Sequence, residues 1–140
     1  LQGLARAMAW FASAHGRSDR QSTSAARLVD AMMTHPELVA GEGRCCTALM
    51  RAAPGQIAVK TGAEAVFVAI LPKQQLGIAL KILDGSTRAS ECAITALLVQ
   101  LGVLDARDSA AMAYLNAPIL NRRGIQTGTQ RSSRELMRPI

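Results

Sequence analysis

The chain has 140 residues, a formal net charge of +6 and an isoelectric point near 10.0. Its 49% hydrophobic and 19% charged residues are typical of a globular protein and exclude a disordered chain. The sequence has no uninterrupted apolar run of about 18 residues, so we expect no membrane partner. The length is that of one domain, which we expect to cover residues 1–140.

The positive charge raises the question of a nucleic-acid partner. The four aromatic residues are too few for the stacking platforms that bind single strands. We therefore expect no nucleic acid; the alternative, a basic nucleic-acid-associated protein, predicts affinity that falls steeply with salt. Much of the charge comes from five arginines near the end of the chain: Arg122, Arg123, Arg131, Arg134 and Arg138.

The cysteines are odd in number and unevenly spaced. Cys45 and Cys46 are adjacent, and Cys92 stands alone. This pattern differs from the disulfide framework of a small secreted protein, so we expect a cytoplasmic location. No Cys-x-x-Cys spacing is present to build a complete zinc site within the chain.

Apolar periodicity predicts helices on both sides of a central segment. The first helix runs from Leu1 to near Gly16 and buries Leu1 and Leu4. A second begins at a Ser22 or Ser24 cap and buries a stripe that includes Leu28. It ends before Pro36, which we place in a turn. Further helices are predicted at about 44–53, 87–101 and 109–115.

The central segment has the pattern of strands. Short apolar runs at 56–61, 65–71 and 76–83 predict an antiparallel meander, with residues 72–75 as the hairpin between the last two. Residues 124–129 predict one more strand. Helices before and after such a meander indicate an α+β fold, in which helices cover the sheet.

The tripeptide Lys60-Thr61-Gly62 follows the first predicted strand. A lysine leaving a strand, then a hydroxyl and a glycine, is the arrangement found in serine β-lactamases and penicillin-binding proteins. The Ser-x-x-Lys that supplies their nucleophile and base occurs nowhere in the 140 residues. We therefore expect the Lys60 ammonium to project into a pocket whose opposite wall belongs to residues outside this chain.

Residues 36–50, 60–64 and 77–89 together carry a wider resemblance. In this order they resemble the C-terminal part of the asparaginase II family, the rhizobial-type L-asparaginases. The resemblance covers nearly the whole chain. It implies a serine β-lactamase-like fold and hydrolysis of L-asparagine to aspartate and ammonia. It also implies that an N-terminal part with the Ser-x-x-Lys nucleophile is missing here.

The resemblance assigns residues as well. It implies that Lys60 is catalytic and that Cys46 is one zinc ligand, the others lying outside the chain. The tripeptide pattern itself, a hydroxyl and a glycine after the lysine, predicts that Thr61 and Gly62 contact the substrate, although Thr61 departs from the residue found in some relatives. The residues alone leave other interpretations open. A lysine at a strand end is often a solvated edge residue, and a cysteine in an apolar helix is often a small core residue.

We therefore expect a fragment that is inactive alone. Its partners would be the substrate L-asparagine and either an N-terminal partner segment or a second copy in a homodimer. The alternative is a non-catalytic assembly or binding module that pairs with a separate N-terminal polypeptide.

Overall fold

The computed structural model describes residues 1–133 and 135–136, and in this part of the chain helices precede and follow a small antiparallel sheet. Arg134 and residues 137–140, which include Arg138, lie outside the described residues. The helices are α1 (Gln2–Ala12), α2 (Arg20–Thr34), α3 (Pro36–Ala40), α4 (Cys45–Ala52), α5 (Thr87–Gln100) and α6 (Ser109–Leu115). The strands are β1 (Ala58–Thr61), β2 (Val66–Leu71), β3 (Leu76–Lys81), β4 (Pro118–Leu120) and β5 (Gln126–Thr129).

Strands β1, β2 and β3 form one antiparallel sheet in sequence order. Alternate side chains of a strand point to opposite faces, so each strand contributes to two layers. On the first face, Ala58 and Ile70 pack with Ala12 of α1 and Val29 of α2. Helices α1 and α2 therefore cover this face.

The second face carries the larger core. Val59 and Phe67 are fully buried there, with Leu49 of α4 and Ile94 and Leu98 of α5. The result is three layers, with two helices on each face of a three-stranded sheet. The predicted α+β fold, an antiparallel sheet covered by helices, is confirmed.

Helix α1 approaches β3 at Gly77. A Cβ atom built on Gly77 would overlap backbone atoms of Met8 and Ala9 and lie 2.6 Å from the carbonyl oxygen of Ala5. The absence of a side chain thus allows the helix backbone to lie directly on the strand. This contact fixes the separation between α1 and the sheet. Leu1 and Leu4, which were predicted to be buried by this helix, are instead 64% and 38% exposed.

The second helix differs from its prediction in two respects. It begins at Arg20, because the Asp19 carboxylate accepts a hydrogen bond of 2.9 Å from the Ser22 N–H, and aspartate caps a helix as well as serine does. The predicted buried position of Leu28 is wrong, since this side chain is 60% exposed. The buried stripe follows Ser22, Ala25 and Val29 instead.

One proline also differs from its prediction. Pro36 lies at the first turn of α3, where its missing N–H has no helical partner to lose, so it starts a helix and is not part of a turn. Pro118 begins strand β4, which pairs with β5 in a separate antiparallel hairpin with an irregularity between Ile119 and Leu120. The strand predicted at 124–129 is present as β5. None of the described helices is long and apolar enough to cross a membrane.

The contact between α1 and β3 predicts the effect of one added methyl group. Gly77→Ala should lower the free energy of unfolding by about 3 kcal/mol, because the helix backbone cannot move away without losing its packing. Urea unfolding followed by circular dichroism measures this change. Gly3→Ala is the matched control: no atom lies within 4 Å of its added Cβ, and alanine in a helix should raise stability by about 0.5–1 kcal/mol. Equal effects of the two substitutions would contradict the close approach.

Candidate functional site

Lys60 lies near the end of β1, the edge strand of the sheet. Its side chain shares a face with Ala58, which is the face covered by α1 and α2. The residue is exposed, and its ammonium donates a hydrogen bond of 2.8 Å to the carbonyl oxygen of Thr61. The Lys60 ammonium therefore lies against the backbone of its own strand, β1.

An apolar groove of about 310 Å³ adjoins Lys60. Among the described residues that line this groove, Lys60 is the one that carries a charge. We expected a pocket beside Lys60 whose opposite wall lies outside this chain. The groove found beside Lys60 has walls that come from α1, α2 and the sheet of this chain. The apolar lining residues are Met8, Phe11, Leu28, Val29, Met32, Ala58, Val68 and Ile70.

The strand register decides which way the peptide groups of β1 face. The Gly62 N–H donates a 2.7 Å hydrogen bond to the Val66 carbonyl, so Gly62 faces β2. Because hydrogen-bonding direction alternates along a strand, Lys60 and Ala58 also face β2 through their backbones. The N–H and C=O of Thr61 must then face away from β2, toward the open edge.

Cys46 of α4 meets Thr61 at that edge. Its sulfur accepts a 3.3 Å hydrogen bond from the Thr61 N–H. The Lys60 ammonium donates to the Thr61 carbonyl oxygen. A cation and a thiol therefore both contact the backbone of Thr61 at the open edge of β1. Burial raises the pKa of the Cys46 thiol, while the Thr61 N–H and the Lys60 charge oppose this shift. The sulfur is therefore a neutral thiol at neutral pH.

Gly62, predicted to contact the substrate, has its own backbone partner. Its extended conformation, with φ −122° and ψ 179°, is open to any residue, and its N–H is used by Val66. The next residues are unusual, because Glu64 and Ala65 have φ values of 56° and 55°. Left-handed conformations cost energy in residues other than glycine and often cluster at functional sites. These two strained residues follow the tripeptide after one intervening residue, Ala63.

A carboxylate also acts on Cys46 through its charge. Glu91 of α5 is partly buried, and burial raises the pKa of its carboxyl group, while the charge of Arg44 opposes the shift. Glu91 also acts electrostatically on Cys45, Cys46 and Tyr114. The sequence analysis did not identify it. Its spacing to buried Ile94 and Leu98, three and seven residues later, is the signal that marks a carboxylate on a buried helix face.

The described residues do not form a metal site by themselves. Among them, no group of three or more histidine, cysteine, aspartate or glutamate side chains is arranged to hold a metal ion. Cys45 and Cys92 are buried free thiols like Cys46. Of the predicted site residues, the structure brings together Lys60, Cys46 and Thr61. Among these three residues only Cys46 is a zinc ligand by type, and one ligand is too few to hold zinc.

Tyr114 predicts how stability responds to alkaline pH. Burial raises the pKa of its phenol from 10.0 to about 12. The unfolded chain thus loses this proton at a lower pH than the folded chain, so the free energy of unfolding should fall as pH rises between these two values. Urea unfolding at a series of pH values measures the slope. Tyr114→Phe removes the phenolic proton and should give a shallower slope; an unchanged slope would show that Tyr114 does not contribute.

Two comparisons bear on the identity of the chain. No curated protein sequence matches it. The model of the L-asparaginase II family does match, over residues 1–132. The matched range includes α1 to β5, all three sheet strands and the four predicted site residues. Because the match spans nearly all of its length, this chain belongs to the asparaginase II family.

Proposed function

We propose that the chain supplies the lysine-bearing part of an L-asparaginase-type site, which hydrolyses the side-chain amide of L-asparagine to aspartate and ammonia. One observation carries the proposal. The Lys60 ammonium and the Cys46 sulfur both bind the backbone of Thr61 at the open edge of β1. The family match supports the reaction class.

Hydrolysis of an amide by this route needs a nucleophile that the chain does not contain. A serine hydroxyl is weak and requires an adjacent base, and the sequence has no Ser-x-x-Lys to provide the pair. The serine and its lysine would come from a separate N-terminal polypeptide or segment. The same requirement supports our interpretation of the fold as the C-terminal portion of a serine β-lactamase-like domain.

Lys60 has two roles in this scheme. Its positive charge lowers the pKa of the neighbouring lysine, so that this lysine can take the serine proton. It also stabilises the oxyanion that forms when serine attacks the amide carbon. Both roles need an ammonium that can leave the Thr61 carbonyl, and a single hydrogen bond at an exposed edge allows this at low cost. Thr61 and Gly62 would contact the substrate beside Lys60.

Cys46 is the residue of this chain that would hold zinc. When bound, zinc would supply positive potential near the substrate. The buried neutral thiol must lose its proton to bind a metal, which the nearby Lys60 charge favours. The remaining ligands would come from the N-terminal polypeptide. The free thiols agree with a reducing compartment, and a cytoplasmic location is part of the proposal.

A non-catalytic assembly module is the second candidate function, favoured by the missing Ser-x-x-Lys. Such a module would bind the N-terminal polypeptide without forming a competent site. Ammonia production by the mixture separates the two candidates.

The catalytic role of Lys60 predicts a complementation result. The chain alone should release no ammonia from L-asparagine, because it lacks a nucleophile. Mixing it with the N-terminal fragment of a full-length asparaginase II family protein, which carries Ser-x-x-Lys, should give ammonia in a coupled assay. Lys60→Ala should lower that rate about 100-fold or more, the usual loss when an oxyanion-stabilising group is removed.

Lys73→Ala is the matched control for this assay. Lys73 is an exposed lysine in the turn between β2 and β3, away from the open edge of β1, and its removal should leave the rate unchanged. Ammonia from the chain alone, above the Lys60→Ala background, would show that no outside nucleophile is needed. Equal rates for the two lysine variants in the mixture would exclude Lys60 from catalysis.

Zinc content tests the role of Cys46. The chain alone should retain no stoichiometric zinc after gel filtration, whereas the mixture should retain it, as measured by atomic emission. Cys46→Ser should abolish this retention. Cys92→Ser, which alters a buried thiol of α5 facing the Leu115 carbonyl, should not. Zinc bound equally by both variants would rule out Cys46 as a ligand.

A further inference from the structure

The turn that follows the tripeptide is held in a strained conformation. Glu64 and Ala65 lie between β1 and β2, and their φ values are 56° and 55°. Neither residue is a glycine, so the side chain of each crowds its own backbone in this region. Such a conformation persists only where the surrounding structure compensates for its cost. The turn therefore depends on contacts that hold it.

Lys81, the last residue of β3, supplies two of these contacts. Its ammonium donates hydrogen bonds to the carbonyl oxygens of Glu64 and Ile82. Hydrogen bonds from a charged donor are stronger than those between neutral groups. A backbone bond of 3.3 Å, from the Ile82 N–H to the Ala65 carbonyl, joins the same two segments. The turn before β2 is thus tied to the end of β3, and the ammonium is the strongest donor in that connection.

The same turn sets the end of β1. The Gly62 N–H donates a 2.7 Å hydrogen bond to the Val66 carbonyl and so closes the turn. Lys81 lies opposite Val66 in the pairing of β2 with β3. Gly62, Val66 and Lys81 therefore form one row across the sheet, and Lys60 lies in the neighbouring row, opposite Val68. An opening of the turn would move the end of the tripeptide.

The Lys81 side chain has the features of a group that holds backbone. It is partly buried, and both of its hydrogen bonds go to carbonyl oxygens. None of the ion pairs in the described part of the chain includes Lys81. A lysine that serves only solubility extends its ammonium into water. The contacts of Lys81 instead indicate a role in fixing the turn.

We propose that Lys81 is a positioning residue of the candidate site, which acts through the turn at Glu64 and Ala65 to fix the end of β1. The inference rests on the proposed function for the reaction that it serves. Lys81 is separated from β1 by the width of β2, so it acts on the tripeptide through the turn. Without the ammonium the turn relaxes, and Thr61 and Gly62 shift relative to the substrate. A displacement of about 1 Å can lower a rate about 100-fold.

Hydrogen exchange tests this role without any reaction. Lys81→Met keeps a long apolar side chain but removes the ammonium. It should speed exchange of the Gly62 amide at least about tenfold, whereas the Ala58 amide, near the start of β1, should change less than about twofold. Lys81→Arg keeps a charged donor and should leave Gly62 protected. Equal acceleration of the two amides by Lys81→Met would indicate general destabilisation and overturn the inference, as would an unchanged Gly62 amide.

A substitution in the turn distinguishes compensated strain from an ordinary contact. Glycine adopts the left-handed conformation without steric cost, so Glu64→Gly should make the turn less dependent on the ammonium. In that background, Lys81→Met should speed exchange of the Gly62 amide about threefold at most. Equal effects in the two backgrounds would overturn the inference. If Lys81→Met alone does not fold, adding Glu64→Gly should restore folding by circular dichroism, and a failure to restore it would also overturn the inference.

The ammonia assay of the mixture connects this role to the reaction. Lys81→Met should lower kcat about tenfold or more, and Glu64→Gly should recover most of that loss. Lys73→Met, in the exposed hairpin turn, is the matched control and should change neither readout. A Gly62 amide that responds to Lys81→Met, in a mixture that releases no ammonia, would support the turn contact and reject asparagine hydrolysis. Undiminished ammonia release by Lys81→Met would support hydrolysis and reject the positioning role.

Discussion

The packing of α1 on the sheet depends on one missing side chain, at Gly77. Because the helix backbone lies directly on β3, α1 is held close enough for Met8 and Phe11 to reach the first face of the sheet. These two residues also form one wall of the groove beside Lys60. A larger separation would open that groove and expose the small core under α1. The surroundings of the candidate catalytic lysine thus depend on a contact in a different strand.

Local patterns predicted much of the fold. The three sheet strands, the hairpin and helices α4, α5 and α6 were predicted within a few residues, because apolar runs and breaking residues identify them. The positions that differ depend on competition between similar residues or on distant contacts. Asp19 and Ser22 are both good caps, and Leu28 lines the open groove between α2, α1 and the sheet, where it stays 60% exposed. Periodicity alone does not show how wide a buried stripe is.

The candidate site was predicted less completely. The tripeptide motif identified Lys60, and the family resemblance identified Cys46, yet neither predicted that both would bind Thr61. That result follows from strand register, which is a tertiary property. Glu91 was missed because a lone carboxylate in a helix is usually solvated. The groove was predicted only as a concavity, since the helices that line it are far away in sequence.

The alternation of β1 has a consequence for how accurately this strand must fold. Lys60 and Thr61 occupy neighbouring positions on opposite faces, with the groove on one side and the main core on the other. A shift of one residue in the pairing with β2 would exchange them. The lysine would then take the half-buried position of Thr61 opposite buried Phe67, on the face of the main core, where burial of its charge is disfavoured. Lys60, the candidate catalytic residue, therefore also destabilises a β1–β2 pairing that is shifted by one residue. The correct register of the sheet and the proposed function depend on the same side chain.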